Sequence, residues 1–211
     1  MIGAIIVRDL RRGLMGPAWL PTAFFTIVAA LLPFAVGPDA RLLEPVAPGA
    51  LWIAALTAAL LPIERLVEPD RGDGFLDQLL LRGLSDESIA AAKIAAHWLT
   101  FAPLLLIAAL LASPLLAISS AALGRTELAL AVGTPGLAAL AVAVAALTAG
   151  LARSSALAGL LLLPLAVPLL IFGVAASQAR PGALPLEAAV SLMLTAGAPF
   201  VAGASMRAAR T

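Results

Sequence analysis

Six stretches of apolar residues, each about 20 residues long, dominate this chain of 211 residues. A helix rises about 1.5 Å per residue and the hydrocarbon core of a bilayer is about 30 Å thick, so each stretch is long enough to cross it. They cover residues 18–36, 47–63, 91–116, 128–151, 156–176 and 186–204. Hydrophobic residues make up 62% of the chain and charged residues 12%. A soluble domain runs at about 45–50% apolar and about 25% charged, so lipid is the solvent that accepts this composition. The expected fold class is an all-α integral membrane protein with six transmembrane helices, forming a single domain over residues 1–211. Little chain remains outside the spans, and no separate soluble domain fits. The first apolar run follows charges, as in a signal peptide, but it is too long and lacks a clear small-residue cleavage site, so an uncleaved first span is expected.

Several chemistries are excluded at once. The chain has no cysteine, hence no disulfide framework and no thiolate ligand or nucleophile. Its formal net charge is +1, and no basic run points to nucleic acid. There is no Walker A motif, no dinucleotide-binding glycine pattern, no G-x-S-x-G and no H-E-x-x-H. All twelve Asp and Glu fall in loops or at span ends, apart from Asp9 in a terminal helix. A secondary transporter carries acids or bases at mid-membrane, so energy for any transport is expected to come from another subunit.

Lys and Arg set the orientation. If the N-terminus is cytoplasmic, so are Arg8, Arg11, Arg12, Arg65, Arg71, Arg82, Lys93, Arg153, Arg207 and Arg210, and the outer set is Arg41, Arg125 and Arg180. That bias places both termini inside. Residues 2–14 precede the first span. Ile2, Ile5, Ile6, Leu10 and Leu14 form one helical arc and Arg8, Arg11 and Arg12 the opposite one, the pattern of an amphipathic helix lying in the membrane interface. Asp9 falls in the apolar arc, where it either pairs with Arg12 or faces a protein partner.

The one extended polar stretch is residues 64–87, between the second and third spans. Phe75, Leu76, Leu79 and Leu80 share one helical face. Asp73 is an expected N-cap, Asp77 sits where the helix dipole favours an acid, and Gly83 ends the helix. Ser85 then caps a second helix that leads into the third span. A short amphipathic helix hung between two spans has the design of an ABC transporter's coupling helix, whose apolar face enters a groove on a nucleotide-binding subunit. The same pattern also describes a helix resting on lipid, and both readings stand. Glu64 and Arg65, at the close of the second span, are either a charged hinge that transmits motion or a solvated helix end.

His97 is the only histidine. It is either a substrate ligand or an interfacial anchor beside Trp98. Without Cys or Tyr, protein ligands for haem iron reduce to His97 and the four methionines, so a stably bound haem is not expected on this chain alone. The run from Gly133 to Gly136 with Pro135 is expected to interrupt the fourth span, and Pro164 and Pro168 the fifth. Such breaks either line a path or serve as hinges, or they are kinks that neighbouring helices tolerate. The small residues from 138 to 150 favour close helix packing.

Taken in order, several stretches resemble the haem exporter protein B family, the membrane subunit of the ABC complex in cytochrome c maturation. They are Ala47-Pro48-Gly49 with Trp52, Glu64-Arg65-Leu66, Asp73-Gly74 through Leu80, Lys93 through Trp98, Gly133 through Pro135 and Leu162 through Phe172. Phe75 and Asp77 depart from the pattern, where a small polar residue and Glu are expected. The resemblance implies a permease that works with a separate cytoplasmic ATPase subunit and with other membrane subunits handling haem. ATP would act only through that partner, and haem would be the transported or handled ligand. The resemblance also implies the bacterial inner membrane, with a second copy of the chain as a further possible partner. A permease of related fold for a lipid or drug, and a non-transporting scaffold of an assembly complex, are the other classes consistent with the residues.

Overall fold

The computed structural model describes residues 1–16, 19–151 and 154–210; Arg153 and the predicted start of the first span at Ala18 lie outside the described residues. Among the described residues there are ten helices and no strand. They are α1 (Ile2–Met15), α2 (Trp19–Val36), α3 (Ala40–Leu60), α4 (Ile63–Leu66), α5 (Glu68–Gly72), α6 (Phe75–Leu81), α7 (Asp86–Ala112), α8 (Ser120–Thr148), α9 (Ser154–Ser177) and α10 (Ala183–Ala208). Helices α2, α3, α7, α8, α9 and α10 are long and apolar enough to span a bilayer. The protein is a multi-pass membrane protein.

Helix ends follow the caps more than the hydropathy. The Asp39 side chain accepts from the Arg41 N–H at 2.9 Å, starting α3 well before the apolar run begins. Ser119 likewise caps α8, accepting from the Ala122 N–H, so Arg125 and Glu127 sit in a helix rather than in the expected loop. Ser85 caps α7 as its sequence predicts. A side-chain oxygen at the N-cap satisfies a backbone donor that the first turn leaves orphaned.

The centre of the bundle is α8, packed on α7, α9 and α10. Its buried face is mostly Ala, with Gly133, Gly136, Leu130, Leu137 and Val142 among the rest. In lipid no hydrophobic force drives helices together, so small residues that allow close backbone contact carry the packing. At Gly136 a Cβ would come within 2.9 Å of the Ser191 Cα of α10. By contrast, α2 and α10 turn much of their surface outward, with Phe34, Leu192 and Phe200 exposed.

The expected interruptions in spans four and five do not occur. Helix α8 runs unbroken through Pro135, and α9 through Pro164 and Pro168. Proline removes one N–H, but in a bundle neighbouring side chains re-satisfy displaced backbone groups. Here the Gly136 N–H donates to the Ser191 hydroxyl at 3.1 Å.

Candidate functional site

Ion pairs gather at the bundle end that carries both termini. Asp70 of α5 is 3% exposed. It accepts from Lys93 of α7 at 2.5 Å, from Arg12 of α1 at 2.9 Å, and from Arg8. Asp9 joins the cluster, accepting from Arg8 at 2.8 Å and from Lys93 at 3.3 Å. Its partners are thus Arg8 and Lys93 rather than Arg12. Burial opposes charge on Asp70, but the Lys93 ammonium and the Arg8 guanidinium outweigh it and hold the carboxyl below its usual value. The Arg8 guanidinium also lies over the Phe75 ring, 3.5 Å from its centre, a cation–π contact. Helix α1 is therefore clamped along α7, with Ile5 buried and Gly13 against Thr100; Arg8 and Arg12 face partners inside the protein, and Arg11 is exposed.

Two further contacts close this end. Arg210, past the end of α10, pairs with Asp86 at 2.6 Å and with Asp77 at 3.0 Å, and Arg207 pairs with Glu87. Glu68 bonds Arg71 at 3.2 Å and accepts from the Gly150 N–H at 2.7 Å. Arg71 and that N–H hold the Glu68 carboxyl below its usual value against partial desolvation. The polar segment between α3 and α7 is thus tied to α1, to the α8–α9 turn and to the end of α10.

Within that segment the expected docking face points inward. Leu76 and Leu79 are buried, at 3% and 4% exposed, and Phe75 and Leu80 are half-buried against the same core. The amphipathic pattern correctly identifies a covered face, and the protein's own helices cover it. The outward side of α6 carries Asp77, Gln78 and Leu81, with Arg82 next to them; Leu81 is 89% exposed. Asp73 is not an N-cap. It closes α5, and Gly74 starts α6 at φ 67, a left-handed position that suits glycine. Gly83, at φ 82, ends α6 as expected. Glu64 and Arg65 lie on α4, a short helix distinct from α3, and both are exposed.

Beneath α1 lies a cavity of about 360 Å³. His97 and Phe101 of α7, Pro21, Pro62 and Leu66 wall it, and Arg12, Arg65 and Asp73 stand at its rim. The His97 ring lies 4.9 Å from the Phe101 ring. Its Nε2 is buried and has no partner among the described residues. Trp98 turns elsewhere, its indole N–H donating to the Thr134 hydroxyl of α8 at 3.1 Å. His97 and Trp98 are therefore not a joint interfacial anchor.

A second cluster fills the opposite half of the bundle. The Trp52 ring is fully buried, and its N–H donates to the Ser177 hydroxyl at 3.2 Å. A Cβ on Gly133 or Gly173 would collide with that ring, so both glycines are required by its volume. Glu187 of α10 is 0% exposed beside Gly133, and neither carboxylate oxygen has a partner among the described residues. Its position near a helix start gives it the look of a span-end charge. Pro135 adjoins this cluster, and the Trp98–Thr134 bond ties it to the helix segment that carries His97. Asp70 and Glu187 are what sequence reasoning missed. Asp9, an acid on an apolar arc, is the one local sign that a cationic partner lies beneath α1.

Comparison with known proteins places the chain in a family over nearly its whole length. The family model described as CcmB protein matches residues 1–209. The chain belongs to the CcmB family. It is 41% identical to "Heme exporter protein B" of Rhodobacter capsulatus over 156 residues, 73% of this chain and 72% of that one. To the protein of that name from Pseudomonas aeruginosa it is 38% identical over 155 residues, 72% of this chain and 70% of the other. To the one from Escherichia coli K12 it is 46% identical over 88 residues, 41% and 40% of the two chains.

Proposed function

We propose that this protein is the membrane permease subunit of an ABC exporter serving haem delivery to c-type cytochromes. Membership of the CcmB family, with relatives named for haem export, carries this reading. The chain acts in the bacterial inner membrane with both termini cytoplasmic, as the ten-to-three distribution of Lys and Arg favours. It has no ATPase motif of its own, so hydrolysis belongs to a cytoplasmic partner subunit. Other membrane subunits of cytochrome c maturation handle haem beside it. The outward surfaces of α2 and α10 are where such subunits, a second copy of this chain, or lipid would lie.

The segment from Glu64 to Arg82 is the coupling element in this reading. Its ties to Lys93, Gly150 and Arg210 connect it to α7, to the α8–α9 turn and to the end of α10. A push on α6 therefore reaches several spans at once. Phe75, Leu76, Leu79 and Leu80 anchor α6 to the bundle, and Leu81 with its polar neighbours meets the ATPase.

A strain lacking its own haem exporter B and unable to make c-type cytochromes tests the reading. This chain, supplied with its ATPase subunit, restores covalent cytochrome c. Inactivating the ATPase's Walker A lysine abolishes the rescue. Full rescue with the inactive ATPase would contradict a coupled permease.

A further inference from the structure

We propose that the cavity beneath α1 holds the head group of one bilayer phospholipid of the phosphatidylethanolamine class, with Arg65 on its phosphate and Asp73 on its ammonium. The proposal stands apart from the haem-export reading, since it concerns the chain and its lipid solvent.

The charges around the cavity are the first argument. Asp9, Arg12, Asp70 and Lys93 all line it, and they answer one another: Lys93 pairs with both acids and Arg12 with Asp70. Arg65 and Asp73 are left over. Both line the cavity and are exposed, and neither has an ion pair among the described residues, with each other or with a third group. The mouth therefore offers one free guanidinium and one free carboxylate. A ligand with a single charge would satisfy one of them and be opposed by the other. A zwitterion satisfies both. The guanidinium fork matches phosphate oxygens with two parallel N–H donors, and the carboxylate accepts from a primary ammonium. A trimethylammonium head group has no N–H to give it.

The second argument is room for an amphiphile. Pro21, Pro62, Leu66 and Phe101 give the cavity apolar walls, and its volume of about 360 Å³ lies at the low end for small-molecule sites. That admits a head group, and the acyl chains must leave it. An apolar groove of about 500 Å³ lies close by, on the side of α2 from Trp19 to Ala30, with Leu104 of α7 as its other wall. Thr22 in the groove follows Pro21 in the cavity, and Leu104 lies one turn beyond Thr100. On both helices the groove thus begins within a turn of the cavity. From Trp19 to Ala30 the helix rises about 16 Å, which matches the hydrocarbon of one leaflet, about half of 30 Å.

The third argument is depth. Pro21 stands in the first turn of α2, and Pro62 just past the end of α3. The cavity therefore lies where two spans leave the hydrocarbon, the level at which head groups sit and at which a Trp such as Trp19 is favoured. A lipid held there joins α4 and the end of α5, which carry Arg65 and Asp73, to α2 and α7. It ties the polar segment to the bilayer.

Native mass spectrometry of the full chain, purified in mild detergent and stripped of lipid, tests the proposal. The chain is titrated separately with dioleoyl phosphatidylethanolamine, phosphatidylcholine and phosphatidylglycerol. The wild type retains one phosphatidylethanolamine per chain, at least about tenfold more tightly than either other lipid, the scale of one charge-assisted hydrogen bond. Arg65→Ala weakens its retention by about the same factor. Asp73→Asn weakens it too, and binds phosphatidylglycerol as well as phosphatidylethanolamine. Arg11→Ala, which removes an exposed cation of α1 outside this cavity, changes neither. Arg65 and Asp73 are exposed and unpaired among the described residues, so their substitution leaves the fold intact. Equal retention of the three lipids by the wild type would mean annular lipid only and would overturn the assignment. An Arg65→Ala, Asp73→Asn double variant that keeps the wild-type preference for phosphatidylethanolamine would overturn it as well.

Discussion

At the residue scale, Asp70 has the largest consequence. It is buried and answers Lys93, itself 4% exposed, together with Arg8 and Arg12. Removing one partner of a buried pair costs about 3–5 kcal/mol, because the remaining charge is left without compensation. Asp70→Asn is therefore expected to lower the thermal stability of the purified protein and to free α1. A cysteine at Ile5, in a chain with no other cysteine, reads this directly: it is shielded from maleimide in the parent and labelled in the Asp70→Asn protein. The pH dependence follows in sign. Asp70's folded value lies below its ordinary 3.8, so its contribution is complete above about pH 4 and is lost as pH falls through the depressed value. Amide exchange in α1, corrected for intrinsic rate, should stay slow from pH 7 to pH 5 and quicken only in stronger acid. None of this was legible locally. Asp70 reads as one acid among several in a polar loop, and its partners are 23, 58 and 62 positions away.

At the scale of elements, apolar length located all six spans, because a bilayer demands it whatever the packing. Their ends were legible only where a cap was weighed. Ser85 stands out before an acidic first turn, whereas Asp39 and Ser119 extend helices into stretches that hydropathy assigns to loops. Proline misled for a physical reason: its local cost is fixed by the sequence, but relief from a neighbouring helix, as at Ser191, is not visible there. Helix α6 shows the same limit. Its periodicity reveals which face is covered and cannot reveal by what. Leu79→Asp and Leu81→Asp separate the faces. The first places a charge in the core and is expected to reduce folded protein in the membrane sharply. The second places it on an 89% exposed position and should leave stability within about 0.5 kcal/mol while weakening ATPase co-purification. Equal stability of the two variants would contradict the inward turn of Leu79.

At the scale of the whole molecule, the two ends of the bundle differ in kind. The end with both termini is bound by ion pairs among α1, α5, α6, α7 and α10. The other half is held by the Trp52 ring set against two glycines, with Glu187, unpartnered among the described residues, beside it. In the proposed reading the ATPase meets the ion-paired end, at the outward side of α6. Single cysteines placed at Leu81 and at Pro181, in membranes that contain the ATPase subunit, test this directly with a short thiol-to-amine cross-linker. Leu81→Cys should capture the ATPase and Pro181→Cys should not. Capture from position 181, or none from position 81 when the ATPase co-purifies with that variant, would contradict the account.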